Sequence, residues 1–275
     1  MKISGEIKLI ADQYGIDLNK VKGTGLEDEI TSQDIENHIK ENYLPKVKKE
    51  SKIFGIRKII GERLSRSYRE AVHVTLNMEV KMDRFIELQG ELSKKQKKLP
   101  YTLLMLKPIA SALNDFVDLN ATLEENKIIT YENINLNLAI DSPVGLVTPV
   151  IRDVDKKSLQ QLLVDYEELI EKAKSGQLKK VNFMGGTFTI TNLGMFGVDF
   201  FNPIINPPQI AILGINRITE KPIVENEEIK ISKVIMLSLS FDHRAVDGAL
   251  AAKFLGRVKY YLENPAEAIN SWSES

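Results

Sequence analysis

Apolar positions in the first 41 residues recur at helical spacing. Ile3, Ile7, Leu9, Ile10 and Tyr14 mark a short helix that Gly15 can end. A glycine-bearing loop, Lys22-Gly23-Thr24-Gly25, follows. Thr31 is then placed to cap a second helix carrying Ile35 and Ile39. About 40 residues is near the lower limit for a chain that folds without staples, so residues 1–41 read as a small N-terminal helical domain. Residues 42–52 hold Lys46, Lys48, Lys49 and Lys52 with one proline and read as a solvated linker.

The pattern changes at Phe54. Ile56, Ile59, Ile60 and Leu64 mark an amphipathic helix. Val74, Leu76, Met78, Val80 and Met82 alternate strictly, as in a half-buried strand. Asp83 is a candidate cap for a helix running through Leu92. An apolar helix is predicted from Thr102 to Phe116, where Pro108 lacks the N–H that helix bonding needs and should kink it. Strands are predicted near 127–131, 134–140 and 144–151, then a helix from Ser158 to Lys174 with Gly176 past its end. Further strands fit 187–192, 209–216, 222–231 (a hairpin) and 233–241, before a last helix from Asp247 to Leu262. Strands and helices are mixed without regular βαβ alternation. That favours an α/β (α+β) two-layer sandwich with a mixed sheet and flanking helices over residues 53–275, rather than a doubly wound fold.

Composition narrows the function. The 275 residues include 37 basic and 38 acidic side chains, a net charge of −1, so no global field draws nucleic acid or an anionic membrane. Cysteine is absent, which removes disulfides, thiolate nucleophiles and cysteine-ligated metals, and no metal is expected. No apolar run approaches the 18 residues of a membrane helix. The first residues lack the long apolar core of a signal peptide, so a cytoplasmic protein is expected.

The densest candidate chemistry lies in Ser240-Phe241-Asp242-His243-Arg244-Ala245-Val246-Asp247-Gly248. A histidine stands four residues before an Asp-Gly pair, at the end of the strand-like run Val234 to Leu239. At a strand exit an imidazole can face a cleft, and an unperturbed histidine titrates near neutral pH. A lone histidine is more often structural. His73, before an alternating strand, reads as a packing residue, and His38 as an exposed residue on the second helix of the small domain.

The neighbours of His243 change those odds. The string SFDHRAVDGALAAKFL, with its His-x-x-x-Asp-Gly, resembles the chloramphenicol-acetyltransferase-like acyltransferases and, more closely, the catalytic domain of dihydrolipoamide acyltransferases, the E2 components of 2-oxo acid dehydrogenase complexes. Three further strings carry the same resemblance in chain order: GIRKIIGERLSRSYREAVHVTLNMEV, NLAIDSPVGLVTPVIRD and GGTFTITNLGMFGVDFFNPIINPPQIAILGI. In the small domain, GIDLNKVKGTGLEDEITSQDI resembles the peripheral subunit-binding domain of the same proteins.

The resemblance implies a chloramphenicol-acetyltransferase-like fold and acyl transfer between coenzyme A and a dihydrolipoyl group. His243 matches the family's general base, and Thr191 the hydroxyl residue that stabilises the oxyanion. Asp247 either orients the imidazole or pairs with an arginine and shapes the site. Arg244, Gly248, Asn192 and Gly194 are implied as structural at the site, with Gly248 allowing close packing where the last helix begins. The family's site lies between subunits of a homotrimer, and trimers build a larger hollow core. The lipoyl group is expected from a separate domain or chain, acting in trans. Partners implied are the decarboxylase (E1) and the dihydrolipoamide dehydrogenase (E3). Against their docking stands Glu29, where the family has an arginine suited to acidic partner surfaces.

Overall fold

Two separate hydrophobic clusters form along the chain, and the computed structural model, which describes residues 3–95 and 99–269, divides accordingly into units of residues 1–53 and 54–275. The outer ends expected for the first and last domains, 1–2 and 270–275, lie outside the described residues.

In the small unit, α1 (Gly5–Tyr14) and α2 (Ser32–Asn42) bury Ile7, Ala11, Ile16, Val21, Ile30 and Ile35. Leu9 and Tyr14, expected on the apolar face, are exposed; Ala11 takes the buried place instead. Thr31 caps α2 in a capping box with Asp34. The Asp34 carboxylate also accepts from the Thr24 N–H (3.0 Å) and the Thr24 hydroxyl (2.8 Å), so one side chain ties the glycine loop to the helix. These donors, the Thr31 backbone first, hold it well below the usual carboxylate range. Gly23 sits where a Cβ would meet the Asp28 carbonyl at 2.3 Å, which is why the loop carries no side chain there.

The large unit is built on a mixed sheet. In chain order its elements are α3 (Ile56–Glu70), β1 (His73–Lys81), α4 (Asp83–Lys95), α5 (Tyr101–Asp115), β2 (Ala121–Glu124), β3 (Lys127–Thr130), β4 (Leu136–Ser142), β5 (Gly145–Val147), β6 (Val150–Ile151), α6 (Leu159–Ser175), β7 (Phe188–Asn192), β8 (Ala211–Glu225), β9 (Glu228–Asp242), α7 (Gly248–Glu263) and α8 (Pro265–Ile269). Among the described residues the main sheet runs β1-β9-β8-β7-β4-β5, with β6 also on β4, and β2 and β3 pair separately. β7 runs parallel to both β4 and β8, and the other pairs are antiparallel.

Period-two alternation sorts the two faces. Leu136, Leu138, Phe188, Ile190, Leu213, Ile215, Leu237, Leu239 and Phe241 belong to the core shared with α5, α6 and α7. The opposite face carries small and polar residues: Asn137, Thr189, Thr191, Gly214, Ser238 and Ser240. This is a helix layer on a mixed sheet, as the sequence pattern predicts.

Several local expectations need correction. The stretches 209–216, 222–231 and 233–241 are one long ribbon, β8 and β9 paired out to Glu225 and Glu228, with a bulge between Ile215 and Ile218. Asp83 does not cap α4. Its carboxylate accepts from the Ser232 hydroxyl and the Lys233 N–H (3.0 Å), pinning α4 to β9. The stripe on α3 is not buried within this chain: Ile56 and Ile59 are exposed.

Candidate functional site

Thr191 lies near the end of β7, the short central strand, half-buried on the polar face of the sheet. Pairing places it level with Ala139 of β4 and Gly214 of β8. Gly214 in turn is level with Ser238 of β9. After Asn192 the chain turns away through Gly194–Phe196. Gly194 is required here, because a Cβ would meet the Asn216 carbonyl at 2.4 Å. Asn192 holds the turn: its Oδ1 accepts from the Gly194 N–H (2.8 Å), and its Nδ2 donates to Thr102 Oγ1 of α5 (2.8 Å). A cavity of about 800 Å³ opens beside Thr191, bounded by Tyr101, Leu138, Tyr166, Asn192 and Ile235 among others.

Beneath this strand end runs a buried polar chain. Thr189 Oγ1 donates to Gln209 Oε1 (2.5 Å) and accepts from Asn206 Nδ2 (3.1 Å). Gln209 Nε2 donates to Asn137 Oδ1 (2.7 Å), and Asn137 Nδ2 to the Thr148 carbonyl (2.8 Å). Gln209 and Asn137 find partners for both the nitrogen and the oxygen of their amides, so β7 is fixed to β4 and to the 205–209 loop.

His243 stands just past β9 and is exposed. Its backbone N–H donates to the Val72 carbonyl (2.9 Å), and its ring lies 5.8 Å from that of Phe241 at 41°. Asp242 organises the turn. Its buried carboxylate receives the Arg244 guanidinium at Nε and Nη2 (2.6 Å at the shortest), the Arg244 N–H and the Val72 N–H. Burial alone would raise this carboxyl; the donors outweigh it and hold it below the usual range.

Asp247 precedes α7, is exposed, and makes no side-chain hydrogen bond or ion pair among the described residues. Within one chain it neither orients His243 nor pairs with an arginine; Arg244 is taken by Asp242 instead. Gly248 needs a correction too. A Cβ there would meet nothing, because the first turn of α7 lies at the surface, so close packing does not explain this glycine. His73 is a packing residue whose ring is fully used: Nδ1 faces the Ala71 carbonyl (3.2 Å), so it carries the proton, and Nε2 accepts from the Ile205 N–H (3.2 Å). His38 is half-buried on α2.

The register does not bring His243 and Thr191 together. Ser238 is level with Thr191, and His243 lies five residues farther along β9, two strands away. At about 3.4 Å per residue and 4.8 Å per strand the separation is on the order of 20 Å. Sequence reasoning missed Asp242, although its place beside His243 in the motif was a signal. It also missed Thr102, which holds Asn192 and for which the sequence gives none. Among the described residues no group of histidine, aspartate and glutamate side chains is arranged to hold a metal, and no helix is long and apolar enough to cross a membrane.

Comparison with known proteins gives consistent matches. Residues 45–270 fit the family described as 2-oxoacid dehydrogenases acyltransferase (catalytic domain), and residues 2–36 the e3 binding domain. The chain is 37% identical to the dihydrolipoyllysine-residue acetyltransferase component of the acetoin cleaving system of Bacillus subtilis, over 98% of its own length and 71% of that relative's. It spans about two thirds of other curated relatives that it matches. Among solved structures it resembles the dihydrolipoamide acetyltransferase of Azotobacter vinelandii, studied for the roles of a serine, a histidine and an asparagine in its catalytic mechanism: TM-score 0.77, 32% identity, covering 82% of this chain and 98% of that one. The cubic core of the pyruvate dehydrogenase multienzyme complex gives TM-score 0.76 at 32% identity, with 82% and 98% covered.

Proposed function

The chain belongs to the acyltransferase family of the 2-oxoacid dehydrogenases, and from that premise we propose that it moves an acyl group between coenzyme A and the dihydrolipoyl group of a lipoyl domain, at a site whose base and oxyanion donor come from different chains. The observation that carries this reading is the pairing register. It holds Thr191 and His243 apart in one chain, with His243 exposed and Thr191 half-buried beside the cavity. Serine, histidine and asparagine in the Azotobacter protein are spaced along that chain as Thr191, His243 and Asp247 are spaced here, which supports the assignment.

The chemistry asks for these two side chains. A free thiol has a pKa of about 8.5, so little thiolate exists at neutral pH. His243 takes the thiol proton as sulfur attacks the thioester carbon. The carbonyl electrons move to oxygen, and the Thr191 hydroxyl donates to that oxyanion, a contribution of roughly 3 kcal/mol to the barrier. Collapse reforms the carbonyl and expels the other sulfur, which takes the proton back from the imidazolium. No acyl-enzyme is formed, so a chain without cysteine lacks nothing for this step.

In this reading homotrimers form the catalytic unit and assemble into a larger hollow core in the cytoplasm. The small unit docks E1 or E3, and the lipoyl group arrives in trans. Asp247 and its neighbours shape the wall beside His243.

Mixed assembly tests the divided site. His243→Ala and Thr191→Ala chains each retain about 1% of wild-type transfer or less when alone. Co-expressed as one population they recover about a quarter of wild-type transfer, since one ordered neighbour pair in four joins an intact histidine to an intact threonine. Mixed particles with no recovery, each variant assembling normally by light scattering, overturn the two-chain site.

A further inference from the structure

Between Leu103 and Leu113 the buried side chains of α5 are apolar, Lys107 excepted, and Lys107 is only 2% exposed. A buried ammonium is expensive, and an apolar chain of the same length would fill the space without that cost. Burial pushes Lys107 below the ordinary lysine range, and the charge of Asp155 only partly opposes this. Its Nζ donates to the Asp155 backbone carbonyl (2.6 Å), while Asp155 Oδ1 is buried with no hydrogen-bond partner among the described residues. Stability therefore gives no reason for a lysine here.

Position does. The turn that carries Asp155 is fastened to the start of β4. The Val154 N–H donates to the Ile134 carbonyl (2.9 Å), the Asp153 N–H to Asn135 Oδ1 (2.9 Å), and Asn133 Nδ2 to Asp153 Oδ1 (2.7 Å). Lys107 thus ties α5 to a fixed point. Apolar burial is non-directional and sets the axial position of a helix weakly, whereas a hydrogen bond is directional. Pro108, the next residue, has no N–H for the Leu104 carbonyl and so loosens one half of α5 from the other. Beyond it the helix is tied to α7, where Tyr261 donates to Asp115 (2.8 Å). The half before it carries Lys107 and, about 7.5 Å along the axis, Thr102, which accepts from Asn192 Nδ2 (2.8 Å). Asn192 is the residue after Thr191.

We infer that Lys107 is a positioning residue for acyl transfer: through α5, Thr102 and Asn192 it fixes where the Thr191 hydroxyl stands against the developing oxyanion. This rests on the acyl-transfer reading. An oxyanion donor acts in the transition state, so displacing it lowers kcat and leaves substrate affinity largely unchanged.

Lys107→Met in the assembled protein is the test, with steady-state kinetics of thioester exchange between acetyl-CoA and dihydrolipoamide as the readout. It keeps the bulk and removes the donor. The kcat falls about tenfold and both KM values stay within about twofold. In a Thr191→Ala background the same substitution lowers kcat no further, because the hydroxyl it positions is gone. A merely structural role predicts instead that the two losses multiply, and that result overturns the inference. So does an unchanged kcat in Lys107→Met. Lys107→Gln is read the same way if Lys107→Met does not assemble by light scattering; failure of both to assemble makes the lysine a requirement of folding and overturns the inference as well. A wild type that transfers no acyl group overturns the acyl-transfer reading and this inference with it, whereas an active wild type matched by Lys107→Met overturns this inference alone.

Discussion

The end of β7 and the exit of β9 each carry one half of the proposed chemistry, and they are built in opposite ways. Thr191 sits on a strand flanked on both sides, above a hydrogen-bonded chain of buried amides and beside a cavity whose wall comes from its own chain. His243 lies at the surface. The backbone beneath it is fastened, through Val72 and the Asp242–Arg244 pair, while the imidazole is left clear. One half is enclosed within the chain; the other is a fastened mount that, in the proposed reading, meets a second chain. The proposed chemistry then makes assembly a condition of activity, since a lone chain holds the two groups on the order of 20 Å apart.

The comparison breaks first at His243. His243→Ala is expected to lower kcat/KM for thioester exchange between acetyl-CoA and dihydrolipoamide by about 10³-fold, with Tm unchanged, because the side chain is exposed. Thr191→Ala is expected to cost about 10²-fold in kcat. Thr191→Ser keeps the donor and restores most of that rate. A Thr191→Ala variant with the wild-type rate would remove the finished half from the chemistry altogether.

Much of this was legible from side-chain pattern. Strict alternation from Val74 to Met82 gave β1, and the motif around His243 gave the exit of β9. Other features resisted for physical reasons. The ribbon tip beyond Arg217 reads as separate strands because a bulge and polar residues interrupt the alternation, yet backbone pairing continues to Glu225. The stripe on α3 says that the helix has an apolar face, but not where a covering surface comes from. Arg244 finds its carboxylate two residues back, at Asp242, a pairing that no motif in the sequence singles out. Thr102 of α5 meets Asn192 at the end of β7, and no local spacing encodes that.

A smaller effect is expected from the mount itself. Asp242→Asn removes the charge that holds Arg244 and loosens the turn under His243. Activity should fall about tenfold through misplacement of the imidazole, and stability by about 1 to 2 kcal/mol, discounted because Arg244 is half-exposed. The pH dependence follows from the carboxyl's depressed folded value. A lowered pKa stabilises the folded state above the unfolded value, near 3.9, and that contribution disappears as pH falls through the folded pKa. The Tm gap between wild type and Asp242→Asn should therefore be constant at neutral pH and close below about pH 4. A gap that stays open in acid would show that the pair acts through shape rather than charge.

The smallest effect is expected at Asp247, and it separates two roles for that residue. If its carboxylate oriented the imidazole as in a hydrolase triad, Asp247→Asn would fix the wrong tautomer and cost about 10⁴-fold in kcat. The geometry argues otherwise. Asp247 is exposed, makes no side-chain bond among the described residues, and leaves Arg244 to Asp242. An asparagine was studied at the matching interval in the Azotobacter protein, so an amide is compatible with the family's chemistry. Asp247→Asn should therefore change kcat by no more than about threefold, the scale of one weak hydrogen bond in water, while Asp247→Leu, which leaves no hydrogen-bonding group at this position, should cost more. A loss near that of His243→Ala would instead place the carboxylate on the imidazole once two chains meet, and the unfinished half of the site would then hold two catalytic groups.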